Sequence, residues 1–208
     1  MNERTAELEQ RSQQLRESQL QLERIAYVDP LTGLSNRRLF EGDLRHGVSL
    51  VARNGGVLTL LLIDLDGFKQ INDQLGHDAG DALLVETALR LTHSVRETDR
   101  VARLGGDEFA IMLTGTGELL AVEIICHRIL AALAAPVTYK GATLQVSASI
   151  GSVQCPSQGM TTEVLYKAAD VALYEAKRSG RNTWRWYGQT DVEDQGSSVM
   201  TEDSVTGR

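Results

Sequence analysis

Apolar and polar positions follow two rhythms along this chain, and the switches between them mark its elements. The longest apolar run, Val57-Leu-Thr-Leu-Leu-Leu-Ile63, is far too short to span a bilayer and reads as a buried strand over 57–65. Two shorter runs, 100–104 and 109–113, flank Gly105-Gly106 and predict a hairpin, because a Gly-Gly pair permits the positive φ angles of a tight turn. Residues 143–151 alternate Leu144, Val146, Ala148 and Ile150, which predicts a second hairpin with 137–140, and 184–187 reads as a terminal strand. Helical spacing governs the rest. One helix starts at Asn36 and stops at Asn54-Gly-Gly56; another spans 81–93 with Leu84, Ala88 and Leu91 on one face. Further helices cover 118–133, ended by Pro136, and 162–177. Between the buried strand and Asp81 the pattern predicts two polar turns, 66–73 and 76–80. Hairpin-linked strands mixed with helices predict an α+β fold, a sheet with helices packed on it rather than a doubly wound parallel sheet.

The ends differ from the middle. In residues 1–27, Leu8, Leu15 and Leu22 recur every seven residues, but Arg11, Ser18 and Ile25 hold the other seam positions. That pattern fits either a weak dimerising helical stalk or a single solvated helix. Residues 28–187 form the domain, and 188–208, without aromatics and rich in small polar residues, read as a disordered tail.

With 208 residues, 42% of them hydrophobic, the chain can bury one substantial core. A net charge of −7 excludes a nucleic-acid-coating protein but leaves room for a nucleotide held by a few placed cations. Residues 1–25 lack the apolar core of a signal peptide, and no stretch of the chain suggests membrane contact. The two cysteines, Cys126 and Cys155, have no metal-ligand spacing and fit a reduced setting, that of a cytoplasmic protein or of the cytoplasmic part of a larger sensor.

The chemistry concentrates in carboxylates at strand ends. Asp107 and Glu108 follow the glycine pair, either solubilising a turn or presenting acids on a rigid tip. Asp64 and Asp66 sit where the buried strand ends and share a face if the strand reaches Asp66. Carboxylates in such a place call for neutralisation, and Mg²⁺ takes one or two of them together with phosphate oxygens. Gly67-Phe68-Lys69 can offer backbone amides and a point charge to a phosphate. Asn72, His77 and Asp81 read either as caps and turn residues or as a nucleobase edge, where an Asp accepts side by side from guanine N1–H and N2–H₂. Lys177 and Arg181 read either as cations at a helix end stopped by Gly180 or as triphosphate ligands. Arg96 offers a fork for phosphate or guanine, and Asp99 an acceptor for a guanine edge; alone they are an exposed charge pair.

Taken together, the segments 29–38, 64–73, 76–81, 96–99, 105–109 and 177–182 resemble the motifs of the GGDEF family, the diguanylate cyclases, over about 29–187. The resemblance implies a mainly antiparallel sheet flanked by helices, like the palm of nucleotidyl cyclases and polymerases. It implies condensation of two GTP into cyclic di-GMP and two pyrophosphates in a homodimer, with Mg²⁺ (or Mn²⁺) as cofactor. Asp64, the Leu65 carbonyl and Asp107 would hold the metal beside Glu108. Asn72, His77 and Asp81 would read guanine, and Gly67, Phe68, Lys69, Lys177 and Arg181 would hold phosphates. Arg96 and Asp99 would form a product-inhibition site. The alternative is a non-catalytic GTP or cyclic di-GMP receptor of the same fold.

Overall fold

The buried run becomes β2 (Leu58–Asp66), the spine of a six-stranded sheet. It pairs antiparallel with β4 (Glu108–Thr114) on one side and β7 (Ser147–Cys155) on the other. Beyond β4 lie β3 (Arg100–Gly105), antiparallel, and β1 (Ser35–Asn36), parallel; beyond β7 lies β8 (Thr183–Trp186), parallel. The central sheet is thus antiparallel with a parallel strand at each edge. The chain is described here by a computed structural model over residues 11, 13, 26–155 and 160–188. The expected stalk (1–27, apart from residues 11, 13, 26 and 27) and the tail from residue 189 lie outside those residues.

Side-chain alternation along β2 serves two cores at once. Leu58, Leu60 and Leu62 pack under α1 (Arg37–Asn54) and α5 (Thr162–Arg178), with Phe40, Leu44, Leu165 and Ala169. Leu61, Ile63 and Leu65 pack under α3 (His77–His93) and α4 (Leu119–Ala134), with Leu83, Leu84, Leu91, Val122 and Ile129. A strand covered on both faces has no polar side, which is why the run reads as continuous apolar sequence. Asn36 caps α1 as expected, its side chain accepting from Leu39 N at 3.1 Å.

Three sequence expectations are corrected. The polar turn expected at 66–73 is mostly a helix, α2 (Phe68–Leu75), because Phe68, Ile71 and Leu75 have helical spacing and Phe68 and Ile71 pack against the core. The second expected turn shrinks to Gly76 (φ 86°), and α3 begins at His77 rather than Asp81. Gly80 lies inside that helix, against Asn72 of α2. The third correction concerns 143–151. The short hairpin pairs β5 (Val137–Tyr139) only with β6 (Ala142–Leu144), while β7 is a separate strand that runs through Gly151 to Cys155. Gly151 is no stop, because α5 rests directly on its backbone.

Candidate active site

All the strand-end acids except Asp107 fall on one face of the sheet. Because β2 runs to Asp66, period-two alternation carries Asp64 and Asp66 onto the α1/α5 side, past the last buried leucine. Glu108 is the register partner of Asp64 across the β2–β4 ladder, and Ser149 is its partner across the β2–β7 ladder. The end of α5 delivers Lys177 to the same place. Its ammonium lies 2.7 Å from Asp64 Oδ2.

The turn between β3 and β4 lies one residue further along the chain than the glycine pair alone suggests. Gly105 (φ 142°) belongs to the strand, where the register shifts by one residue, so Gly106 (φ 54°) and Asp107 form the two-residue tip. Asp107 is therefore at the tip itself, and its carbonyl accepts from Leu65 N at 3.3 Å, which ties the tip to the end of β2.

Burial pushes the Asp64 carboxyl up; the hydrogen bond and charge of Lys177 pull it down, and the neighbouring charges of Asp107 and Asp66 push it up again. The net position is above the ordinary value of 3.8. Lys177 thus does not offset burial and the two neighbouring carboxylates together, which leaves room for a further cation. No group of three or more His, Cys, Asp or Glu among the described residues forms a closed cage. The charge of Asp107 reaches Asp64, and these two carboxylates with the Leu65 carbonyl would make an all-oxygen set suited to a hard cation that completes its shell with phosphate oxygens. Oxygen donors of this kind fit a hard divalent cation.

Glu108 is 53% exposed on its side chain and pairs with Arg37 at 3.2 Å, an exposed contact of little energetic weight. Arg37 also donates to the Leu104 carbonyl, so it braces the hairpin stem. A firmer brace was not read from the sequence. Arg103 donates from Nε and Nη2 to the Gly106 carbonyl (3.0 and 2.8 Å) and from Nη1 to both Asp29 carboxylate oxygens (3.2 Å). The one local signal was an Arg two residues before a Gly-Gly turn.

Burial pushes the Asp29 carboxyl up, but hydrogen bonds from the Thr32 hydroxyl and amide and from Arg103 outweigh it and hold the group below 3.8. A carboxyl lowered by folding contributes stability above its unfolded value, and that contribution fades as pH falls through the folded value. The urea midpoint of Asp29→Asn is expected below wild type at pH 7, with the gap closing as pH drops below about 3.8. A gap unchanged down to pH 2 would contradict this.

On the other side of the strand end, Gly67 (φ 77°) turns the chain into α2. The Gly67 carbonyl accepts from Gln70 N and Ile71 N, and the amides of the first turn, including Lys69, start a helix whose opening donors have no partner within it. Phe68 is buried as an anchor. Asn72 is half-buried, with His77 and Asp81 exposed on the first turns of α3. Asp81 lies in the second turn of that helix, so it is not an N-cap.

Arg96 and Asp99 do not join this cluster. Asp99 is buried; its Oδ2 accepts from Arg96 N at 2.9 Å and its Oδ1 from Thr114 N at 3.1 Å. Thr114 is six residues along β4 from Glu108, which places the pair about 20 Å from the hairpin tip. Asp99 braces the loop, and Arg96 is the exposed member.

Known proteins share this sequence and fold. The family model described as "Diguanylate cyclase, GGDEF domain" matches residues 26–183. The diguanylate cyclase TpbB of Pseudomonas aeruginosa is 40% identical over 180 residues, which cover 86% of this chain and 41% of TpbB. The TpbB GGDEF domain solved alone has a TM-score of 0.74 at 41% identity, covering 77% of this chain and 94% of that one. The coiled coil and GGDEF domain of DgcB from Caulobacter crescentus, solved with c-di-GMP, has a TM-score of 0.82 at 27% identity, covering 88% of this chain and 97% of that one. The chain spans from 22% to 41% of the length of three curated relatives.

Proposed function

Because the chain belongs to the GGDEF family of diguanylate cyclases, we propose that it condenses two GTP into cyclic di-GMP with release of two pyrophosphates. The observation that carries this reading is the meeting of Asp64, Asp107 and Lys177 at one strand end, with Asn72 and Asp81 on the adjoining helices.

The reaction brings a 3′-hydroxyl onto an α-phosphorus, so the protein's work is to position two reactants and to neutralise developing charge. Asp81 accepts from guanine N1–H and N2–H₂, a paired donor edge that adenine lacks, while Asn72 and His77 complete the base site. The amides of Gly67, Phe68 and Lys69, with the cations of Lys69, Lys177 and Arg181, receive the phosphates. Asp64, Asp107 and the Leu65 carbonyl would hold Mg²⁺ (or Mn²⁺), which supplies Lewis-acid charge neutralisation and a more acidic hydroxyl. Asp107 orients the attacking hydroxyl and Glu108 lies beside it.

The product is two-fold symmetric and each domain has one base-reading set, so two domains must face each other with one GTP each. Residues 1–27 then serve to hold two copies close. Arg96, on a loop braced by Asp99, provides the product-inhibition contact at a distance from the chemistry.

The test is release of pyrophosphate from GTP and Mg²⁺ over a range of protein concentrations. Turnover per protomer should rise with concentration. GTP binding without pyrophosphate release at any concentration would favour a receptor and sink the catalytic reading.

Base choice has its own check. A Cβ on Gly80 would overlap Asn72 Oδ1, with Phe68 Cζ at 3.1 Å behind it. The amide must swing away, since it is the movable partner. Gly80→Ala is expected to reduce the preference for GTP over ATP about tenfold, on the scale of one lost hydrogen bond to a base. Unchanged discrimination in competition assays would remove Asn72 from the base site.

A further inference from the structure

Asp66 takes no part in the steps above, yet its carboxylate is fully engaged. Oδ1 accepts from Ser149 Oγ at 2.8 Å; Oδ2 accepts from Ser147 Oγ at 2.8 Å and from Asn182 N at 3.0 Å. Only 6% of the side chain is exposed. A buried carboxylate with this many donors is built into its surroundings rather than left over at a strand end.

The Asn182 bond crosses 116 residues of sequence and reaches the loop that follows α5. There Gly180 (φ 108°), Arg181 (φ 62°) and Asn182 (φ 47°) adopt three positive φ angles in succession. Asn182 enters this region more readily than most residues, but for Arg181 it is uncommon and is supported here by surrounding bonds. One enforcing bond is the helix-end link from Arg181 N to the Ala176 carbonyl, at 3.2 Å. The other is the next amide, Asn182 N, on Asp66. The Arg181 backbone is thus pinned on both sides. Its guanidinium is not: it stands 3.9 Å from Asp66 Oδ1 and its side chain is 62% exposed, a pairing loose enough to yield to an anion.

We propose that Asp66 is a positioning residue for the substrate triphosphate, acting through Arg181. Its carboxylate fixes the left-handed turn that aims Arg181 at the phosphates, beside Lys177 from the same helix end. The role lies in acceptor geometry, not in charge, since a negative charge near a triphosphate is itself unfavourable. Asparagine can meet the same geometry: its carbonyl can take Asn182 N and Ser147, and the Ser149 hydroxyl can rotate to accept from the amide nitrogen. The inference rests on Arg181 being a phosphate ligand, as proposed above.

The experiment measures binding of guanosine and of a GTP analogue with a methylene α,β-bridge, in Mg²⁺ buffer without turnover. The proteins are wild type, Asp66→Ala, Asp66→Asn, Arg181→Ala and the Asp66→Ala/Arg181→Ala double variant. Expected is a loss of about tenfold in analogue affinity for Asp66→Ala with guanosine affinity unchanged, retention in Asp66→Asn, and less than about twofold further loss in the Arg181→Ala background. Parallel loss of guanosine and analogue, or a full loss that persists without Arg181, would overturn the proposal. Wild-type affinity in Arg181→Ala would instead overturn the phosphate role of Arg181, and the Asp66 proposal with it. If Asp66→Ala does not fold, the Ser147→Ala/Ser149→Ala pair removes two donors while keeping the acid. Loss of analogue affinity that disappears without Arg181 supports the proposal, and additive loss overturns it.

Discussion

Asp64→Asn should lower GTP turnover by roughly 10²–10³-fold or more while leaving the melting temperature unchanged or raised. The two halves of this expectation come from one geometry. Asp64 lies in the acid cluster, 2.7 Å from the Lys177 ammonium and within reach of the charges of Asp107 and Asp66, and the proposed reaction uses its negative charge. The same surroundings raise its carboxyl above the ordinary 3.8, so folding disfavours the charged form. For a carboxyl raised by folding, the cost is present above the folded value and is relieved as pH falls through it. The amide is neutral at every pH, so the stability advantage of Asp64→Asn should be present at pH 7 and vanish as pH falls through the raised value. A large stability loss in the variant would show that Asp64 holds the fold together, and near-normal turnover would remove it from the chemistry. Function at the expense of stability is common at sites that concentrate like charge.

Gly151→Ala should destabilise the protein by about 3 kcal/mol or more, the upper range for a core substitution. A Cβ there would overlap the Ala169 carbonyl oxygen and the Leu173 amide, and would lie 2.8 Å from Leu173 Cα. These are backbone atoms of α5, so no side-chain rotation relieves the overlap; the helix must lift from β7. Lifting it also draws Lys177 away from Asp64, so turnover measured well below the melting transition should fall as well. An unfolding free energy from urea titration within about 0.5 kcal/mol of wild type would mean that α5 is not seated as described.

The sequence was most legible where chemistry and local pattern coincide. The buried run ending in Asp64-x-Asp66, the glycine-tipped hairpin and the capped start at Asn36 all follow from rules spanning a few residues. The region 66–80 was misread for a local reason too: glycines and acids at helix ends look like turn chemistry until Phe68, Ile71 and Leu75 are seen to share a face. The bonds that fix the site could not be read at all, because their partners are far apart. Asp66 meets Asn182, Arg103 meets Asp29, and Gly151 meets Ala169 only after the sheet has formed. For Asp66 a signal existed in its period-two relation to Asp64, but nothing local distinguishes an acid that serves the reaction from one that anchors a loop.

The Arg103 fork shortens a long path. Asp29 and Arg103 are 74 residues apart in sequence, and Arg103 is three residues from Gly106. In the folded domain one guanidinium joins the point where the chain enters to the carbonyl at the tip of the acid-bearing turn. A displacement at the entry point has two hydrogen-bonded links in series to cross before it reaches that turn. Neither core and no other strand intervenes. The doorway of the domain and its working edge belong to the same short circuit.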